Sequence, residues 1–372
     1  MNHLDILLPF SLPQAEMAAE LIRQTKAPAL ATLLARGKSV NGDGGTGFDP
    51  FSRALPHEHW LGEQLGLSVT NISAPRGNSP AVAAPLLRRH QPTLNEGHWF
   101  VVQPAHIHVA RDHLVLTDIE QLALQENEAR LLFQSALPLF EEAGRTLLYL
   151  DAQTWLMRAD DWANLQTSSP LAASGRNIDI WMPAGEGELA WRKLQNEVQM
   201  QWFADSLNDA REMRGQKAVN SLWLWGGGAI AVAQDKHNTA SAYSASFNLT
   251  GWADAASAVN QIGVHPEQLL LHSGERALLL LDGLQQAAMS DDWGRWLQQL
   301  EALDRDWFVP LLQALRGKQL QSLSLMLSGQ ERLLQVTSTA GSLRKFWIRP
   351  GLGRLATDHS NATHASHSKA SQ

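Results

Sequence analysis

Cysteine is absent from all 372 residues. Disulfides, thiolate catalysis and Cys-ligated zinc are therefore excluded. There is no long basic run, and the formal net charge is −7. That balance argues against a nucleic-acid footprint and against a polybasic membrane surface, so neither nucleic acid nor membrane is expected as a partner. No apolar run approaches the ~20 residues of a membrane span. The segment Met1-Asn2-His3-Leu4-Asp5 lacks the basic stretch and apolar region of a signal peptide, and a cytoplasmic location is expected. There is no Gly-x-Ser-x-Gly elbow for a serine nucleophile. The glycine-rich loop Asn41–Gly47 lacks the Gly-Lys-Ser/Thr of a phosphate-binding loop and reads as a connection.

What is present is ample core material. Hydrophobic residues make up 44% of the chain and 14 are tryptophans, enough for about two domains. Most of these rings should lie in cores or domain interfaces. The most telling stretch is Val219-Asn220-Ser221-Leu222-Trp223-Leu224-Trp225-Gly226-Gly227-Gly228. Its Val, Leu and Trp residues suit a buried strand of an α/β sheet. The glycines suit a sharp turn or a close backbone approach. Ligands of open α/β sheets sit at such strand ends; the alternative is a core strand and its turn.

Further strands are expected at Leu4–Leu8, 99–103, 113–117, 146–150, 154–158, 277–281 and 323–327, with 332–337 and 345–348 completing the sheet. Helices are expected over 14–24, 26–36 with a stop at Gly37, 56–65, 81–90, 120–144, 253–262 and 291–315, and one long helix over 188–214 ending at Gly215. Residues 178–183 read as an extended crossing and 229–250 as loop. The tail from 351 is expected to be disordered.

His106 and His108 stand two apart, so on a strand they share a face. With Asp112 they are a candidate metal site; the alternative is ordinary edge histidines. Arg176, Arg211 and Arg214 are candidates for holding an anion, or else simple helix-end charges and salt bridges.

The order Asn208-x-x-Arg211-x-x-x-Gly215, then Asn220-x-x-Trp223-Leu224-Trp225-Gly226, resembles the archaeal-type cofactor-independent phosphoglycerate mutases of the alkaline-phosphatase superfamily. Pro28-Ala29-Leu30 through Gly37 is similar to the helix after the nucleophile strand in such enzymes. The whole chain is identified as similar to the bacterial RpfE-type regulatory proteins. The resemblance implies an alkaline-phosphatase-like α/β sheet core flanked by helices, with an inserted smaller α+β domain. The implied boundaries are 1–95 and 190–350 for the core, 96–189 for the insert and 351–372 for the tail.

Enzymes of that kind hold two divalent metals on carboxylates and histidines after core strands. At the matching places this chain has Pro9-Phe10-Ser11, Gln285, Met289 and Ser328-Gly329. Gln and Met cannot supply hard anionic ligation. The expectation is therefore a degenerate, regulatory or small-anion-sensing protein that needs no cofactor. Its candidate ligand residues are Arg176, Arg211, Asn220, Trp225, Gly226 and Gly227, and its expected ligand is a small phosphorylated or carboxylate metabolite. The alternative is an active mutase or phosphatase using two divalent metals, manganese or zinc, on displaced ligands.

Overall fold

The computed structural model describes residues 1–67, 77–230 and 243–356. The chain divides into two compact units, Met1–Pro50 with Ser241–Gln372, and Phe51–Ala240.

The first unit is built on one sheet. Its strands run in the order Asn260–Gln261, Ala245–Phe247, Arg276–Leu280, His3–Leu8, Ser322–Ser328, Arg332–Thr339, Lys38–Ser39, and Thr46–Gly47 also pairs with Arg332–Thr339. Pairings up to Ser322–Ser328 are parallel and the later ones antiparallel. Central parallel strands are apolar on both faces because both are buried. Leu4, Ile6, Leu279 and Leu325 pack with Leu30, Leu33, Trp296 and Leu311 of the helices in one core. Leu7, Leu278 and Met326, on the opposite face, are also fully buried.

The helical stretch expected over 291–315 is Trp293–Leu303 and Val309–Arg316 joined by a π turn, Asp304–Phe308. The turn aims buried Asp304 at the start of the helix Pro28–Arg36. Its carboxylate accepts from Ala29 N at 3.3 Å and Leu30 N at 2.7 Å, satisfying donors that a helix start leaves open.

The second unit carries an antiparallel sheet ordered Thr146–Asp151, Thr154–Arg158, His98–Ala105, Ser221–Ala229. Helices Glu126–Glu142 and Glu188–Phe203 cover one face, with Leu132, Phe140, Trp191 and Val198 against Phe100, Trp155 and Leu224. A hairpin, Ile107–Ala110 with His113–Leu116, stands apart.

Several expectations need correction. The Trp-rich strand joins this antiparallel sheet rather than the parallel one, pairing with His98–Ala105. The expected boundaries at 95/96 and 189/190 accordingly give way to breaks near 50 and 240, because pairing carries residues 188–229 into the second unit. The long helix over 188–214 breaks after Phe203, where Asp205 caps a new helix, Ser206–Met213. Residues 178–180 form a 3-10 turn, not an extended crossing. No strand forms at 345–348, which lies in turns. The helix expected over 253–262 is Gly251–Ala256, followed by the strand Asn260–Gln261. Residues 351–356 are ordered in a turn that buries Leu352 and Leu355; the rest of the expected tail lies outside the described residues.

Candidate functional site

The residues that the resemblance places at ligand positions lie at the carboxyl ends of the parallel strands, and packing accounts for Ser11 and Gly329. After His3–Leu8 the backbone turns at Phe10, whose φ is 55°. A bulky residue in this left-handed region is strained by roughly 1–3 kcal/mol. Trp296 Nε1 donates to the Phe10 carbonyl at 2.9 Å and helps hold the turn. Ser11 is buried, and its hydroxyl donates to Leu8 O at 2.7 Å. That proton closes the turn and no carboxylate neighbours it in sequence.

At the end of Ser322–Ser328, Leu12 N donates to Ser328 O at 3.0 Å. A Cβ on Gly329 would stand 2.6 Å from Leu12 O, so a histidine has no room there. Gln285 and Met289 bound a one-turn helix. Sequence reasoning passed over Asp282, which follows the strand Arg276–Leu280; desolvation pushes its carboxyl pKa up. Its signal was available, a carboxylate just after a run of leucines.

Beside these strand ends, within the first unit, lies a cavity of about 540 Å³. Phe10, Leu12, Phe48 and Trp293 give it apolar walls; Arg332 is its cation, and Glu16 and Glu331 are its carboxylates. Among the described residues no group of three or more His, Asp or Glu is placed to hold a metal ion.

The residues singled out around the Trp-rich strand are committed to structure. Arg211 is 0% exposed. Its Nη1 pairs with Glu128, its Nε donates to Lys217 O at 2.9 Å and its Nη2 to Leu122 O. Arg214 pairs with the other Glu128 oxygen. An anion at Arg211 would have to displace a buried carboxylate, which is costly. Arg176 lies elsewhere, its guanidinium 5.3 Å from the Trp181 ring centre.

Asn220 donates to Ile107 O and accepts from Ile107 N, both at 2.8 Å, tying the strand to the hairpin. Trp225 Nε1 donates to Gln103 Oε1 at 2.8 Å. The strand runs through its glycines instead of turning at them. Gly226 has φ 68°, and a Cβ there would strike Val82; one on Gly227 would strike Phe100. Close packing at a β-bulge opposite Trp99–Val101 therefore requires glycine.

The rings of His106 and His108 stack at 5.5 Å, so the shared face is real. His106 Nδ1 is bound to Ala218 O at 2.7 Å, however, and Asp112 pairs with His113 at 3.0 Å. The three do not converge on one point.

A second feature escaped sequence reasoning. In the second unit His57, Glu58, Ser168 and Ser169 are buried together with Arg53. Ser169 Oγ donates to Glu58 Oε2 at 2.5 Å, and Leu55 N donates to the same oxygen at 2.8 Å. Arg53 donates to Ser168 Oγ at 2.9 Å. Burial raises the Glu58 pKa from 4.5 to about 7, against the lowering effect of those two donors. Burial also lowers His57 to about 3.

No protein-family model and no curated protein matches the chain. Among solved structures, the PH0037 protein from Pyrococcus horikoshii is similar with a TM-score of 0.55 at 12% identity, covering 95% of this chain and 91% of that one. A cofactor-independent phosphoglycerate mutase from Thermoplasma acidophilum DSM 1728 is similar at a TM-score of 0.43 and 13% identity, covering 96% and 94%. The second score is too low to carry an argument. The first establishes a likeness of fold alone, a mixed α/β architecture with a central sheet flanked by helices.

Proposed function

We propose that this chain is a catalytically degenerate protein of phosphoglycerate-mutase-like fold. It binds a small carboxylate in the cavity at the carboxyl edge of its parallel sheet and serves regulation rather than turnover. The observation that carries the reading is Gly329, where the Leu12 carbonyl leaves no space for any side chain. The hydroxyl of Ser11, already spent on Leu8 O, supports it.

Ligand capture moves from Arg211, which is sealed against Glu128, to the cavity, whose arginine is Arg332, with Nη2 donating to Leu355 O at 2.8 Å. With one arginine against Glu16 and Glu331 the lining is net negative, so it disfavours a multiply charged phospho-acid more than a singly charged carboxylate whose apolar body meets Phe10, Leu12, Phe48 and Trp293. Calorimetric titration with phenylacetate and with 3-phosphoglycerate tests this. Phenylacetate should bind, and Arg332→Gln or Trp293→Ala should abolish binding in protein that still melts cooperatively. Tight binding of 3-phosphoglycerate, or of neither compound, would overturn the ligand assignment.

One observation favours a second reading. Asp282 remains at a strand end as a single carboxylate, so a metal-dependent mutase or phosphatase could have kept part of its site. That reading needs manganese or zinc to bind with Asp282 as a ligand. Equilibrium dialysis of the wild type against Asp282→Asn would reveal it, and equal metal uptake by both would end it.

A further inference from the structure

A stretch of uniformly positive charge lies between residues 332 and 356. It contains Arg332, Arg344, Lys345, Arg349 and Arg354 and no Asp or Glu, in a chain of net charge −7. Arg354 is paired with Asp43 at 2.9 Å, and Arg332 belongs to the cavity. Arg344, Lys345 and Arg349 have no carboxylate partner among the described residues. Between them stand Phe346 and Trp347, 81% and 68% exposed, with ring centres 5.2 Å apart in an edge-on pair.

These rings are held in water by a fixed backbone. Arg36 Nη1 donates to Leu343 O at 3.0 Å, and its Nε donates to Ile348 O at 3.3 Å. Ile348 N donates to Lys345 O at 3.0 Å, and Gly351 N to Ala31 O at 3.2 Å. The turn is thus stapled at both ends to the helix Pro28–Arg36. Single exposed apolar residues need no explanation, but two adjacent large rings rimmed by cations form a patch that calls for a partner.

We infer that residues 344–349 form a docking tip for an anionic lipid surface. Phe346 and Trp347 enter the headgroup layer while Arg344, Lys345 and Arg349 pair with lipid phosphates and carboxylates. The chemistry is that of interfacial anchors, in which aromatic rings sit at headgroup level beside basic residues. The rings stand on a turn and do not line the cavity described above, and a bilayer accepts a protruding tip without a matching groove. The overall negative charge does not forbid this, because charges farther than ~8 Å from the surface are screened at physiological salt. The inference is independent of the cavity and its ligand.

Vesicle flotation tests it with the full chain. Each cation near an anionic surface multiplies partition by roughly fivefold, so three give on the order of 100-fold. Vesicles of phosphatidylcholine with about one third phosphatidylserine should carry the protein up the gradient. Pure phosphatidylcholine vesicles should not, and salt near ~0.5 M should release it. The double variant Phe346→Ser, Trp347→Ser should lose flotation while keeping the wild-type melting curve, since both side chains are exposed. Absence of flotation with the mixed vesicles would overturn the inference, as would equal flotation of the double variant. A dimer that the double variant dissociates, without flotation, would assign the patch to a second copy and overturn it equally.

Discussion

Glu58→Gln should alter the pH dependence of stability in a defined direction. The Glu58 carboxyl is 2% exposed, and burial raises its pKa from 4.5 to about 7. The folded state therefore holds this proton more tightly than the unfolded chain does. The resulting stability is complete below pH 4.5 and is lost as pH rises through about 7. At about 1.4 kcal/mol per pH unit, the change between pH 5 and pH 8.5 is roughly 2–3 kcal/mol.

Glutamine keeps an acceptor for Ser169 Oγ and Leu55 N and cannot ionise. The variant should therefore gain roughly 2–3 kcal/mol on the wild type at pH 8.5 relative to pH 5, or on the order of 5–10 °C in melting temperature. His57, lowered to about 3 by burial, works the other way: its contribution is present above 6.5 and fades as pH falls. That effect is common to both proteins and cancels in the difference. Guanidinium unfolding at the two pH values, followed by tryptophan fluorescence, measures the change. Equal differences between the proteins at both pH values would refute the reasoning.

Two further substitutions probe the packing. Gly329→Ala should cost about 1–3 kcal/mol, because its Cβ would meet Leu12 O at 2.6 Å; an unchanged melting temperature would mean that the turn yields freely. Arg211→Met should cost about 3–5 kcal/mol by leaving Glu128, Leu122 O and Lys217 O without their buried partner. A second change, Glu128→Met, should restore part of the loss, and no restoration would show that Arg211 does not serve chiefly to satisfy Glu128.

The local elements were legible where burial dictates composition. Leu4–Leu8, Ala277–Leu281 and Leu323–Leu327 read as strands because a parallel sheet covers both their faces, and each forms within a residue or two of its expected bounds. The hairpin at 146–158 was legible through its alternation. Which sheet a strand joins was not. Leu222–Trp225 has the composition of a parallel core strand, but its partner is His98–Ala105, a pairing between residues far apart in sequence.

The same limit governed the site. A fully buried arginine and one at a binding cleft look alike in sequence, and only the position of Glu128 separates them. Asp282 was passed over because it lies three residues before Gln285, where the resemblance places the ligand. The glycines of the Trp-rich strand implied close approach, correctly, but the approaching groups are Val82 and Phe100 rather than a ligand. The cavity beside Phe10 draws its lining from six stretches of chain, which no local pattern brings together.

The most direct test of the central claim is conversion of 3-phosphoglycerate to 2-phosphoglycerate by folded protein purified without a histidine tag. Manganese, cobalt and zinc should each be supplied, with a mock purification from the same host as control. The account predicts no turnover above the control with any metal. Metal-dependent turnover that Asp282→Asn abolishes would contradict it and establish an active centre built on ligands other than those expected at the ends of the first strand and of Ser322–Ser328.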